Sequence, residues 1–330
     1  MWRSVLALVL LAFTACGGTS SSASSRGFND TWLWDGTDWT QAQPVKAPSP
    51  RTEPAFAYDV ATRQVVLFGG RTTTDFSFLN DTWTWDGTAW TLQHPRHSPG
   101  GRSNAAFTYD PAVSAMILVG GYTQQPNAAL VNALDEVWKW DDNDWTLIGH
   151  ATEEVVLSGA GRAAYDLQSK QIVVVTDTAT LTWNGTTWNL YANPQHWSGS
   201  DVIYADPASG AVTVIAYFAN PDSSLTYRLE TWSGVAWSEG SVVPLPTTMG
   251  QGWLDVAGAA YDSKRRQVVT FGGGCAVQPS TDTLTFDGAT WSIRQPQYHP
   301  PGRTNAYMVF DPNRSEVVMF GGDALSSVGC

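Results

Sequence analysis

Charge is scarce in this chain. Asp, Glu, Lys and Arg make up 15% of its 330 residues, well below the quarter or so of an average globular protein. Basic residues are the scarcer kind, with 18 Lys and Arg against 30 acids and a net charge of -12. Nucleic-acid binding needs a basic stripe to neutralise phosphates, and docking on anionic headgroups needs a polybasic patch. The composition argues against both partners. The five histidines, His94, His97, His150, His196 and His299, show no ligand spacing with the three cysteines or with acids, so no metal and no cofactor are expected.

A short apolar run, Val5 to Phe13, follows Met-Trp-Arg and precedes Thr14-Ala15-Cys16. A cationic start, a hydrophobic segment of this length and small residues before a cut are the parts of a secretory signal. The run is too short to span a bilayer as a permanent helix. Cys16, directly after two small residues, resembles the lipobox cysteine of bacterial lipoproteins, with Phe13 where that family usually places Leu. The resemblance implies lipid attachment at Cys16 and a cell-envelope location outside the cytoplasm, or plain secretion without the lipid. Residues 1–15 are thus expected to be a signal peptide, and residues 16–27 the lipidated cysteine with a Gly/Ser-rich tether that has nothing to bury. Residues 28–330 remain as a single folded domain, expected to be monomeric and to touch the membrane only through the lipid.

That domain is built from repeats. One unit reads Asp30-Thr-Trp-Leu-Trp-Asp-Gly-Thr-Asp-Trp39 and returns as Asp81 to Trp90 and Glu136 to Trp145, with weaker copies at Thr180 to Trp188, Glu230 to Trp237 and Asp282 to Trp291. A second unit alternates with it: Phe56-Ala-Tyr-Asp59, a short turn, then Val65-Val-Leu-Phe-Gly-Gly70. Its relatives end at Gly121, Thr176, Tyr217, Gly273 and Gly322. Asp-Gly between two aromatic segments is a strong hairpin signal. Val65 to Phe68, stopped by two glycines, reads as a buried strand. The closing tryptophans recur every 43 to 55 residues, the length of a four-stranded propeller blade.

The double glycine ending the second strand, the Asn-Asp-Thr-Trp approach to the third and the Trp opening the fourth resemble Kelch repeats, and they cover residues 29–322. The resemblance implies an all-β, six-bladed Kelch-type β-propeller with four antiparallel strands per blade. Blades 3 and 4 depart from it, having Thr176-Asp177 and Tyr217-Phe218 in place of the glycines. Outer strands come first, at 31–41, and inner strands come last, at 303–321. The chain ends must then pair as two plus two strands in one composite blade, which removes two open sheet edges. Of the 17 tryptophans, fourteen lie in the outer hairpins and are expected to pack between blades. Trp197 and Trp253 fall on long connections instead.

In this architecture the long loops gather on one face, where binding residues concentrate. The candidate ligand-binding residues there are Arg71, Phe76, Phe78, Tyr122, Tyr191, Trp197, Trp253 and Tyr298. Arg51, Arg102 and Arg303 each stand eight residues before the turn Asp of an innermost strand. By the resemblance they would line the top of the central channel, where they could grip a carboxylate or pair with acids and carbonyls of the blades. Arg162, inside an innermost strand, is a further channel candidate. Cys275 and Cys330 follow the glycines of adjacent blades, and in an oxidising compartment a Cys275–Cys330 disulfide is expected, two free thiols being the alternative.

No catalytic constellation emerges. The expected function is therefore a binding or interaction module whose partner is an extracytoplasmic protein or a carbohydrate. The rival reading is a carbohydrate-active or epimerase-like propeller enzyme working at the channel mouth.

Overall fold

The computed structural model describes residues 27–124, 131–151, 161–176, 179–194, 199–220, 225–246, 257–274 and 279–324. No helix occurs among them. Six sheets of four antiparallel strands each form six blades. Blade 1 runs Ala55–Asp59, Gln64–Phe68, Thr82–Trp85 and Trp90–Leu92 from the inside outward. Blades 2 to 5 repeat this order, beginning at Ala106–Asp110, Arg162–Asp166, Gly199–Ala205 and Gly258–Asp262. Each of these innermost strands touches the next, and the ring closes through Tyr307–Asp311 back to Ala55–Asp59.

Blade 6 is the composite. Its inner hairpin is Tyr307–Asp311 with Glu316–Phe320, and its outer hairpin is Thr31–Trp34 with Trp39–Ala42. The join is the antiparallel pairing of Thr31 with Phe320 through Trp34 with Val317. The expected two-plus-two clasp is what the sheet order shows.

The second strand of each blade is a continuous apolar run because both of its faces are covered by neighbouring blades. Side chains alternate across a strand. Val66 and Phe68 accordingly enter the core between blades 1 and 2, while Val65 and Leu67 enter the core between blades 6 and 1. Each of the six seams has its own buried cluster, and the hydrophobic core is divided among them. The outer-hairpin tryptophans fill these seams, with Trp34, Trp85, Trp140 and Trp232 almost wholly buried. Four of the tryptophans that close the outer-hairpin repeat also bind the preceding blade. Their Nε1 atoms donate to threonine hydroxyls, Trp39 to Thr283, Trp90 to Thr31, Trp145 to Thr82 and Trp237 to Thr180, at 2.7–2.9 Å.

Blade 4 is less regular than its repeat suggests. Trp232 bridges Trp237, but the outermost strand proper is only Val242–Val243, which pairs with Tyr227 and Arg228. The pairing shifts by one residue between Trp232–Trp237 and Arg228–Val242, and Gly240, between them, lies where a Cβ would collide with the Leu229 carbonyl.

Candidate functional site

Three blades share one local knot. Arg51 Nη1 and Nη2 bind both carboxylate oxygens of Asp81 at 2.6 and 2.8 Å, Nη1 also donates to the Gly69 carbonyl, and Nε donates to the Ser49 carbonyl. Arg303 repeats this with Asp30, Gly321 and Pro301. Arg102 makes the same carbonyl bonds, to Gly120 and Gly100, but reaches one oxygen of Glu136, Oε2, through Nη2. The same acids accept the indole N–H of Trp32, Trp83 and Trp138 at 2.7–2.8 Å. Although burial works to raise it, the Asp81 carboxyl is held below its ordinary range by Arg51 and Trp83.

All three guanidiniums are at most 1% exposed. Of the two roles expected for them, their hydrogen bonds are those of pairing with acids and carbonyls of the blades. Each donates to the carbonyl of the first of its blade's paired glycines, and its donors are spent on the scaffold. Blades 3, 4 and 5 have Ser158, Ser198 and Leu254 at the corresponding places in the sequence.

The residues that follow these arginines lie where the chain enters the innermost strand, at the mouth of each of these blades. Glu53, Asn104 and Asn305 each stand two positions after a knot arginine, in the left-handed region at φ 57°, 54° and 54°. Such values in non-glycine residues mark positions over-determined by their surroundings. Between arginine and turn, Thr52, Ser103 and Thr304 pair in antiparallel fashion with Arg71, Tyr122 and Asp323, which follow the paired glycines. Two turns of backbone thus meet at the mouth of each of these blades.

At the seam of blades 6 and 1 the mouth gathers Glu53, Arg71, Asn305, Tyr307 and Asp323. Arg71 Nη2 donates to Glu53 Oε1 at 2.7 Å, both side chains being partly exposed. The Glu53 backbone N–H donates to the Tyr307 hydroxyl, and Asn305 Nδ2 donates to Asp323 Oδ2 at 3.3 Å. Arg71 lies about 6 Å from the rings of Phe76 and Phe78. Burial, with Glu53 adding to it, holds the Asp323 carboxyl above the usual range against the Asn305 bond. Burial pushes the Tyr307 phenol far up as well.

Four polar atoms here are buried without any hydrogen-bond partner: Thr52 Oγ1, Arg71 Nε, Thr304 Oγ1 and Asp323 Oδ1. Buried polar groups are nearly always satisfied. Their concentration at one mouth distinguishes this seam from a plain packing surface.

The other candidates scatter. Phe76 is exposed and Phe78 half-buried beside Arg71. Tyr122 is half-buried and opens a small hairpin, Tyr122–Gln124 with Val131–Ala133. Tyr191 packs edge-on against Trp232 in the seam of blades 3 and 4. Arg162 begins the innermost strand of blade 3 and is exposed. Tyr298 is exposed, and its backbone nitrogen rests on Asp38 in the outer-hairpin turn of blade 6, apart from the mouth residues. Trp197, Trp253, Cys16, Cys275 and Cys330 lie outside the described residues.

Glu53, Asn305, Tyr307 and Asp323 were missed by the sequence reading. Their signal was available in the recurring triplets Arg51-Thr-Glu53, Arg102-Ser-Asn104 and Arg303-Thr-Asn305, which put a left-handed polar residue at the same step of three blades.

Fold and site define a six-bladed β-propeller with a polar mouth at its closing seam. No protein-family model matches the chain, and neither does any curated protein.

Proposed function

We propose that this protein is a ligand-binding β-propeller of Kelch type, exported and held at the cell envelope by a lipid on Cys16, and that it binds through the mouth of the blade 6–blade 1 seam. The observation that carries this reading is the set of four unpartnered buried polar atoms around the Glu53–Arg71 pair. They include a donor, Arg71 Nε, an acceptor, Asp323 Oδ1, and two hydroxyls that can serve either way. A ligand rich in hydroxyl groups supplies both halves of those bonds. Phe76 and Phe78 offer an apolar edge beside them. Carbohydrate, or the polar backbone of an extracytoplasmic protein segment, fits this description. The net charge of -12 disfavours a polyanion.

The enzyme alternative has one observation in its favour. Asp323, a buried carboxyl with a raised proton affinity, stands beside the partly exposed Glu53–Arg71 pair, as a general acid would.

The test is a thermal-shift screen of the mature chain against neutral sugars, uronic acids and peptides. A ligand that binds only the folded state must raise the melting temperature. A shift with a neutral saccharide that is lost in Arg71→Ala and in Asp323→Asn supports the mouth site. A shift that both variants retain moves binding elsewhere. Conversion of the bound sugar would establish the enzyme alternative.

A further inference from the structure

The outer-hairpin turns of the six blades carry glycine at their second position in five cases: Gly36, Gly87, Gly185, Gly234 and Gly288. The sixth is Asp142. It keeps the same left-handed backbone, φ 72° against 94–100° in the glycines. The direction in which its side chain leaves the turn can be read from the others. A Cβ on Gly36 or Gly87 would run into the guanidinium of Arg265 or Arg314, which lies on the inner-hairpin turn of the preceding blade.

Those two arginines staple their seams. Arg265 Nη1 donates to Asp262 at 2.7 Å and Nη2 to the Asp35 carbonyl of the next blade. Arg314 does the same with Asp311 at 3.0 Å and the Asp86 carbonyl. At each seam a guanidinium neutralises a buried aspartate and fastens the neighbouring turn.

Between blades 1 and 2 both partners differ. Thr62 stands where the arginine would be, three residues after Asp59, and Asp142 stands where the glycine would be. Asp59 is fully buried. Its Oδ1 accepts the Ala61 and Thr62 N–H groups at 2.7 and 3.3 Å, while Oδ2 has no donor. The Asp142 carboxyl is the group that meets it. Two facing carboxylates repel unless a positive charge or a proton lies between them. Among the described residues no set of three or more His, Cys, Asp or Glu could hold a metal ion, and a single proton suffices.

We propose that Asp59 and Asp142 share one proton across the seam of blades 1 and 2, and that this bond is a pH-sensitive latch in the place of the arginine staple. The Asp142 hydroxyl donates to Asp59 Oδ2, and its outer side is open to solvent. Burial, the bond to Asp59 and the charges of Asp59 and Asp141 push the Asp142 carboxyl up to about 7. Those two acids are the charged groups that face it. Arg63, on the same inner turn, acts on Tyr58, and His97 pairs with Asp144 at the far end of the outer turn. The folded value lies above the ordinary carboxyl value of 3.8. The latch therefore stabilises the fold on the acid side, and its contribution is lost as pH rises through about 7.

The test is thermal melting of the mature chain from about pH 5 to about pH 8.5, for the parent, Asp142→Gly, Asp142→Asn and Thr62→Arg. The parent should lose several degrees relative to Asp142→Gly as pH rises. Thr62→Arg, which restores the guanidinium, should flatten the parent's pH dependence. Asp142→Gly installs the residue found in the other five turns, so it tests the seam without threatening the fold. Melting curves that run parallel at every pH overturn the latch. So does a carboxyl carbon of Asp142 that titrates near 4 by NMR instead of near 7. A calcium-dependent stabilisation that Asp142→Gly removes would put a metal ion in the proton's place and overturn it too.

Discussion

Arg303 and Asp30, 273 residues apart, form a bidentate ion pair at 2.6 and 2.9 Å that ties the last inner hairpin to the first outer strand. The same knot closes blades 1 and 2 within a continuous stretch of chain, but here it joins the two ends of the domain. Asp30→Ala would strand a fully buried guanidinium with two carbonyls and the Phe28 ring but no acid for company. Breaking a buried pair in this way costs about 3–5 kcal/mol, and denaturant unfolding should register a loss of that order. The equivalent Asp81→Ala should cost a similar amount. Only Asp30→Ala should also release the N-terminal strand Thr31–Trp34 to limited proteolysis. Equal protease resistance in the two variants would show that the clasp does not depend on this pair.

The Trp-to-Thr bonds across the seams give a second prediction. Thr31, Thr82, Thr180 and Thr283 each stand three residues before the aromatic that ends the third strand of their blade. The same step holds Val137 in blade 2 and Leu229 in blade 4, which have no hydroxyl. The Trp291 Nε1 of the blade after Leu229 is accordingly buried without a partner. Thr31→Val should leave Trp90 in that condition and cost about 1–3 kcal/mol. Val137→Leu, which removes no such bond, should cost less. A Thr31→Val protein as stable as its parent by urea titration would mean that the indole finds another acceptor.

These two features show how far the sequence could be read. The blade number, strand order and clasp were legible because each repeat is a self-contained pattern of turn residues and alternating side chains. The register of repeats even specifies which tryptophans find a hydroxyl. The fate of Arg51, Arg102 and Arg303 was not legible to the same degree. Their common place, eight residues before the turn Asp, is a matter of spacing, but their availability depends on an acid in the next outer hairpin and on a glycine carbonyl that accepts from them. The mouth residues escaped for a related reason. Glu53 belongs to one end of the chain and Asn305, Tyr307 and Asp323 to the other, and only the composite blade brings them to one seam beside Arg71, which was named.

The paired glycines can be tested by what a single methyl group would meet. Gly70, at φ 95°, would point a Cβ at the Thr52 carbonyl, 2.7 Å away, and at Pro54. Gly185 has nearly the same φ, 96°, but a Cβ there would meet nothing within 4 Å. Gly185→Ala should therefore carry only the backbone penalty, about 1–2 kcal/mol. Gly70→Ala should exceed it clearly and should also weaken any ligand bound at the mouth, since Thr52 and Arg71 are paired across that glycine. Equal losses in the two variants would mean that the lead-in segment shifts without resistance.

The tyrosines predict how the fold fails in alkali. Burial first, and neighbouring Asp carboxylates or Glu53 second, raise the phenols of Tyr58, Tyr165, Tyr261 and Tyr307 above the ordinary value of 10. Tyr204 is raised by burial and by Tyr261, on which it stacks with ring centroids 4.1 Å apart. In the unfolded chain these groups ionise near 10, whereas in the fold they hold their protons longer. Stability is thus fully present below pH 10 and declines as pH rises through the folded values. Absorbance of tyrosinate should rise in two phases. The later phase comes from the five raised phenols and coincides with loss of near-ultraviolet circular dichroism. Tyr307→Phe removes the Glu53 contact at the mouth but also one of the groups that drives alkaline unfolding. It should therefore shift the second phase to higher pH while lowering stability at neutral pH. A single smooth titration with no accompanying loss of tertiary signal would contradict the burial of these five side chains.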